Sequence, residues 1–179
     1  PALPVSSTGR RVIAIALGAL VVALAAQVRV PLPFTPVPVT LQDLAVLTVG
    51  GLLGPVAGVA ALVTYLALGI AGLPVFAGGG SSLAWLLGPT GGYLLAFPVA
   101  AFVMGAVAAR AGFARALVGA LLGMVIIHLG GVAQLALLSG DPASAFRLGS
   151  LPFLPVSVLK VGLAAALVTG ISPKLAKLL

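Results

Sequence analysis

The chain has 179 residues, of which 61% are hydrophobic and only 6% are charged. Because a soluble domain carries about 25% charged residues, this composition excludes an ordinary water-soluble domain. The absence of cysteine excludes disulfides and cysteine-based sites. The formal charge of +7 comes from basic residues scattered among apolar runs, which form no basic face for nucleic acid.

Apolar runs of bilayer length recur along the chain, since roughly 20 apolar residues cross a bilayer as a helix. We predict an all-α integral membrane protein, with residues 1–179 forming a single domain of six transmembrane helices. The predicted spans are 11–28, 41–53, 55–72, 90–109, 116–138 and 152–171. The first run also has the pattern of a secretory signal with a small-residue cleavage site. We favour a retained first helix, because the spans that follow also need an anchor.

Two long irregular stretches separate the predicted helices. Residues 30–41 contain four prolines, which forbid a helix and favour an extended strip. Residues 73–89 contain a run of three glycines and two serines. Between the second and third spans, Gly54 and Pro55 end one helix and begin the next, because proline is well tolerated at the first helical position.

The basic residues predict the orientation in the cell membrane. With a cytoplasmic N-terminus, six basic residues lie on the inner side and only Arg29 and Arg147 lie outside, as the positive-inside tendency requires. The inner set comprises Arg10, Arg11, Arg110, Arg115, Lys174 and Lys177. We therefore expect both termini in the cytoplasm and both irregular loops outside the cell.

Polar side chains inside apolar segments are costly, so the few present are candidate ligand-binding residues. Lys160 lies in the sixth span, with Ser157 on the same helix face; the alternative is a lysine that snorkels to the membrane edge. Gln42 and Asp43 open the second span. A glutamine offers both a donor and an acceptor to an amide or urea group, whereas Asp43 can simply favour a helix N-terminus.

A glycine-rich turn precedes the fourth span. Thr90, Gly91 and Tyr93 belong to this turn, whose free N–H groups can bind an anion at a helix start. Ser81 and Trp85 are candidates to line the same outer cavity. Trp85 is equally suited to the membrane interface.

Several kinds of chemistry are missing from the sequence. The lone histidine, His128, has no companions for a metal site, and we expect His128 and Gln134 to form interhelical hydrogen bonds. The chain has no Walker A motif, no Gly-x-Ser-x-Gly elbow and no His-Glu-x-x-His motif. We therefore expect no metal, no cofactor and no enzymatic activity, and the energy for any active transport must come from another chain or an ion gradient.

Three long motifs, in order and with matching spacing, resemble the BioY biotin-transporter family. They are residues 31–42 (PLPFTPVPVTLQ), 72–79 (GLPVFAGG) and 87–93 (LGPTGGY), and they are followed by 152–155 (PFLP) with Lys160. The resemblance implies six membrane helices, and biotin bound near the outer side beneath closing loops. It also implies that the chain is the substrate-binding (S) component of an energy-coupling factor (ECF) transporter, with a transmembrane coupling (T) subunit and paired ATP-binding-cassette ATPases as partners.

The resemblance also suggests roles for individual residues. Biotin's apolar ring and valerate chain suit a pocket lined by Phe34, Trp85 and Tyr93. Lys160, Gln42 and the turn at 90–93 supply the polar groups that its ureido and carboxylate ends need, although the sequence does not say which end meets which group.

Small residues on the first helix contact the coupling subunit in such proteins. Here Ala19 and Ala23 fit that role, because their four-residue spacing lets helix backbones approach closely. Ala14 and Gly18 are the neighbouring option.

The chain departs from the family pattern at the polar positions. The family usually has an aspartate three residues before the lysine, where this chain has Ser157, and an uncharged residue where this chain has Asp43. We expect Asp43 to replace the lost carboxylate and to pair with Lys160, which avoids an unpaired ammonium in the membrane. Because the glycine loop also differs, at Ser81 and Ser82, a different vitamin remains an alternative. A membrane-embedded enzyme and a purely structural helical bundle are the others.

Overall fold

The computed structural model describes residues 7–108 and 112–175, most of which are helical. Helices α1 to α7 are Ser7–Gln27, Gln42–Ile70, Leu83–Leu86, Gly91–Ala108, Phe113–Ser139, Pro142–Gly149 and Leu154–Leu175. Two short strands, β1 (Arg29–Val30) and β2 (Val39–Thr40), pair antiparallel. Arg110, Lys177 and the predicted end of the fourth span at 109 lie outside the described residues.

Helix α2 is a hairpin of two arms, 42–53 (α2a) and 55–70 (α2b). Gly54 has φ 78° and ψ 175°, a conformation that side-chain-bearing residues rarely adopt. A Cβ added at Gly58 would lie 3.0 Å from the Cα of Gly50, whereas a straight helix would hold these residues about 12 Å apart. The chain therefore reverses at the helix boundary that the sequence predicts there.

Five helical stretches within the described residues are long and apolar enough to cross a membrane, and α2 is one of them. With α2 counted as its two arms, the structure has six apolar segments. The arms, of about 12 and 16 residues, are roughly 18 and 24 Å long, which is shorter than the ~30 Å hydrocarbon core. Large apolar side chains such as Leu24, Leu137 and Val158 cover the outer surface of the helices, as a lipid environment requires.

In the middle of the bundle, the backbones of α2 and α4 are in close contact. Helix α2 packs against α1 and α4, α4 packs against α5, and α5 packs against α6 and α7. A Cβ added at Gly50 would lie 2.6 Å from the carbonyl oxygen of Ala101, and one at Gly105 would lie 2.6 Å from the carbonyl carbon of Gly54. Only glycine permits these approaches, so the hairpin and α4 meet backbone to backbone.

Helix α6 was not expected from the sequence. Asp141 caps it by accepting hydrogen bonds from the backbone N–H groups of Ala143 and Ser144, at 3.0 and 3.1 Å. Proline follows the cap at the first helical position, which is a common helix start. The β1–β2 pair and the one-turn helix α3 were also not predicted.

Ala19 is not available as a surface contact. Its side chain is only 2% exposed and belongs to the core that α1 forms with α2. Gly18 lies on the same face, where an added Cβ would meet Val49 at 3.0 Å. Since the hairpin covers this face, the expectation that Ala19 contacts a partner is corrected. Of the four small residues considered, Ala14 and Ala23 are half-buried, whereas Gly18 and Ala19 are buried.

The molecule has two distinct ends. Arg10 and Arg11 lie beside Pro55, next to the hairpin turn, and we call this the turn end. Arg29 lies against Gly78 in the second irregular loop, and we call that the loop end.

Candidate ligand-binding site

A cavity at the loop end lies between the strip at 37–40, the starts of α2, α4 and α7, and the middle of α5. Its volume, taken as the space open to the centre of a water-sized molecule, is about 70 Å³, and the cavity is partly open to solvent. Its lining is mainly apolar, with a few polar groups at one wall, as in typical small-molecule sites. The lining residues are Val37, Pro38, Val39, Thr40, Gln42, Asp43, Ala77, Trp85, Thr90, Tyr93, Leu94, Phe97, Ile127, His128, Phe153, Val156 and Lys160.

A buried ion pair forms the polar wall of this cavity. Lys160 Nζ donates to Asp43 Oδ1 at 2.7 Å and to Oδ2 at 2.9 Å, and also to the carbonyl oxygen of Thr40 at 2.6 Å. These three acceptors match the three donors of an ammonium group. The lysine and aspartate side chains are only 7% and 17% exposed. The pairing of Asp43 with Lys160 that the sequence analysis expected is confirmed.

Gln42 lies beside the ion pair and connects three elements. Its Nε2 donates to Tyr65 Oη at 2.6 Å, and this hydroxyl donates to the carbonyl oxygen of Val75 at 3.2 Å. Thr40 Oγ1 donates to Gln42 Oε1 at 3.4 Å. The contacts join α2a to α2b and to the second irregular loop. Because an amide has two donors and two acceptor lone pairs, Gln42 retains hydrogen-bonding capacity for a ligand.

Ser157 does not line the cavity but lies behind its wall. Its Oγ is 2.9 Å from His128 Nε2, and the Oγ of Ser150 is 3.0 Å from His128 Nδ1. His128 therefore bridges α5 to α7 and to the turn before α7, as expected for an interhelical hydrogen bond. It also lines the cavity, which the sequence analysis did not predict.

The turn before α4 is closed by internal contacts. The N–H of Gly91 donates to the carbonyl oxygen of Gly88 at 3.1 Å, so it is not free to bind an anion as the sequence suggested. A Cβ at Gly91 would overlap the carbonyl of Leu86, and glycine is needed there for packing. Gln134 Nε2 donates to the carbonyls of Leu86 and Gly88, at 2.9 and 2.6 Å. Thr90 does line the cavity.

Two of the three aromatic residues that were expected to line a ligand pocket do line this cavity. Trp85 and Tyr93 line the cavity. Phe34 is 57% exposed and does not, because Thr35 Oγ1 donates to a carbonyl of α6 at 2.9 Å and the strip turns Val37 inward instead. Ser81 is half-buried and also lies outside the lining.

Further lining residues were missed by the sequence analysis. Val37 and Val39 alternate with prolines, a period-two pattern that places them on one side of an extended strip. Phe97, Ile127 and Phe153 carried no such signal, because apolar residues occur on every face of these helices.

Comparisons with known proteins cover nearly the whole chain. Residues 3–177 match the model of the BioY family. A probable biotin transporter BioY of Pyrococcus horikoshii is 40% identical over 129 residues, covering 72% of this chain and 76% of that protein. The biotin transporter BioY of Thermotoga maritima is 39% identical over 137 residues, with 76% and 81% covered. That of Rhizobium etli is 33% identical over 174 residues, with 90% and 91% covered.

A solved structure has the same fold. It is the S-component for biotin from an ECF-type ABC transporter, and the two structures superpose with a TM-score of 0.86 at 27% sequence identity. The match covers 95% of this chain and 94% of that one. The similarity therefore includes the helices and both irregular loops.

Proposed function

Because the chain belongs to the BioY family, we propose that it is the biotin-binding S component of an ECF transporter. It is a multi-pass membrane transport subunit rather than an enzyme. The observation that carries the proposal is the neutral Asp43–Lys160 pair beside Gln42, at one wall of an otherwise apolar cavity.

The chemistry of this wall suits the ureido group of biotin. A urea has two N–H donors and one carbonyl acceptor. The Asp43 carboxylate accepts from N–H groups, and Lys160 can donate to a carbonyl in exchange for its present bond to Thr40. Charge-assisted hydrogen bonds of this kind are about twice as strong as neutral ones. The apolar part of the ligand then packs against Trp85 and Tyr93.

The absence of net charge on the pair also supports a position for the other end of the ligand. Lys160 is already compensated by Asp43, so this wall has no net positive charge to attract a carboxylate. We therefore place the ureido end of biotin at the ion pair and the carboxylate toward the open part of the cavity, where water solvates it.

We further propose that the loop end faces the outside of the cell and the turn end faces the cytoplasm, with both termini inside. The described basic residues support this orientation, since Arg10 and Arg11 lie at the turn end and Arg29 lies at the loop end. The whole chain acts as one six-helix domain. A T subunit and ABC-type ATPases supply the energy, and α1 contacts the T subunit through its exposed face and Ala23.

Calorimetry on the purified full chain tests the proposal with biotin, thiamine and riboflavin as separate ligands. We expect tight binding of biotin alone, and a loss of at least about tenfold in affinity for Lys160→Ala. Leu159→Ala, whose exposed side chain is the neighbour of Lys160 on α7, is the matched control and should bind as the parent does. Equal affinity in a folded Lys160→Ala variant, or tighter binding of another vitamin, would overturn the proposal.

A further inference from the structure

A second cavity lies at the turn end, between the first turns of α1 and the hairpin. We call it the wedge cavity. It is lined by Ser7, Arg10 and Arg11 of α1 and by Leu53, Val56 and Ala57 beside the turn. It is separate from the biotin cavity, which shares no lining residue with it.

The wedge cavity exists because α1 extends beyond the hairpin. Ser7, Arg11 and Gly18 follow helical spacing along one face of α1, and Gly18 is where this face is covered, since its added Cβ would lie 3.1 Å from Leu53. The hairpin turns only one residue later, at Gly54. From Gly18 back to Ser7, α1 extends about 16 Å, so its first turns stand over the end of the hairpin and leave a gap.

Neither aspartate of the sequence is paired with the two guanidinium groups in this gap, as far as the described residues extend. The sequence contains only two acidic side chains. Asp43 is paired with Lys160 at the loop end, and Asp141 caps α6. Arg10 and Arg11 are exposed and therefore accessible to an anion from outside the chain.

The groups that line the wedge cavity favour a phosphate group that is attached to hydrocarbon. Planar guanidinium groups bind phosphate oxygens through paired hydrogen bonds, and the Ser7 hydroxyl adds a donor on the same face of α1. The opposite wall, at Leu53 and Val56, is apolar, which suits hydrocarbon better than a hydrated ion. The cavity also lies at an end of a membrane-spanning bundle, where lipid headgroups are the abundant phosphates.

We propose that the wedge cavity binds one anionic phospholipid, with its phosphate on Arg10 and Arg11 and its acyl chains along the apolar wall of the hairpin. Basic pockets between membrane helices bind anionic headgroups in this way. Occupancy by one lipid would fill the gap and hold the start of α1 against the turn.

Native mass spectrometry of the purified full chain tests this with phosphatidylglycerol and phosphatidylcholine of identical acyl chains. We expect a single retained phosphatidylglycerol and much less phosphatidylcholine. The double variant Arg10→Gln/Arg11→Gln should lose phosphatidylglycerol affinity by about 25-fold, since each basic residue contributes about fivefold. Arg115→Gln, which removes an exposed charge at the start of α5, is the matched control and should retain the lipid.

A second variant keeps the charge and removes the space. Ala57→Phe fills the wedge cavity while both arginines remain, and it should also lose the lipid. Biotin titration of each variant shows whether it is folded. The proposal is overturned if folded variants retain the lipid, if phosphatidylcholine binds equally well, or if inorganic phosphate displaces the lipid completely. Binding that appears only when a coupling protein is added would instead assign the cavity to a protein partner.

Discussion

Asp43 and Lys160 are separated by 117 residues in the sequence, yet Lys160 Nζ lies 2.7 Å from Asp43 Oδ1. The pair joins the start of α2a to α7. An aspartate at position 157 would instead meet the lysine from within one helix, three residues away. The pair in this chain therefore forms only when α2a and α7 pack together.

The hypothesis that Asp43 replaces the family's carboxylate at position 157 (the relocation) predicts a rescue experiment. Asp43→Asn leaves a buried ammonium without its counter-charge, which costs about 3–5 kcal/mol in comparable pairs, so stability and biotin affinity should both fall. Adding Ser157→Asp returns a carboxylate to the helix face of Lys160 and should restore much of both. Thermal unfolding and calorimetry measure the two effects. If the double variant is folded but binds no better than Asp43→Asn, the relocation is wrong.

The Gln42–Tyr65 contact predicts a separation of stability from binding. Tyr65→Phe removes the hydroxyl that accepts from Gln42 Nε2, and an unsatisfied buried donor costs about 1–3 kcal/mol. Adding Gln42→Leu removes that donor too, and should recover stability without recovering biotin affinity. Thr64→Val is the control, because its hydroxyl bonds only within its own helix. Recovery of binding together with stability would exclude Gln42 from the ligand site.

Gln27 predicts an effect on the rate at which biotin leaves. Its Nε2 donates to the carbonyl of Phe76 at 3.2 Å, and its Oε1 accepts from the N–H of Gly79 at 3.1 Å. These bonds hold the loop that contributes Ala77 to the cavity. Gln27→Leu should therefore speed biotin dissociation by about fivefold or more, measured by stopped flow.

The neighbouring variant Val28→Ala supplies the comparison for Gln27, since its side chain is exposed and forms none of these bonds. It should dissociate at the parent rate. Equal dissociation rates for Gln27→Leu and Val28→Ala would mean that the hydrogen bonds from Gln27 to the loop do not control the release of biotin.

The backbone conformation of the hairpin turn predicts that a side chain at Gly54 destabilises the protein through backbone strain and not through a steric clash. A Cβ at Gly54 would meet nothing within 4 Å, but its φ is +78°, so Gly54→Ala should destabilise the protein by about 1–3 kcal/mol. Gly162 also has open space, and it lies within α7 without a positive φ. Gly162→Ala should be neutral or slightly stabilising. Comparable melting temperatures for the two variants would contradict a backbone origin.

Much of this architecture could be predicted because its signals are local. Continuous apolar runs mark the helices, and Gly54 with Pro55 marks a break whatever surrounds it. The ion pair could be anticipated from the family resemblance, because this chain has Ser157 in place of the usual aspartate and Asp43 in place of an uncharged residue. A buried ammonium needs a counter-charge.

What could not be predicted depends on which face of a helix is covered. Ala19 and the residues around it are apolar on every side, so the sequence does not show that the hairpin buries Ala19 rather than Leu20. The prediction that the N–H group of Gly91 is free to bind an anion was wrong for a related reason. The sequence does not distinguish a glycine whose N–H group is free from a glycine that makes room for a neighbouring carbonyl group. Only the path of the loop over α4 distinguishes these two roles.

The glycine contacts between the hairpin and α4 close the route from the cavity at the loop end along this interface. One helical turn beyond Phe97, the backbone of Ala101 already touches Gly50, and Gly105 closes on the turn itself. A molecule that enters from the loop end finds no onward route between these backbones. Delivery across the membrane therefore requires the opening itself to change sides, or the hairpin to part from α4.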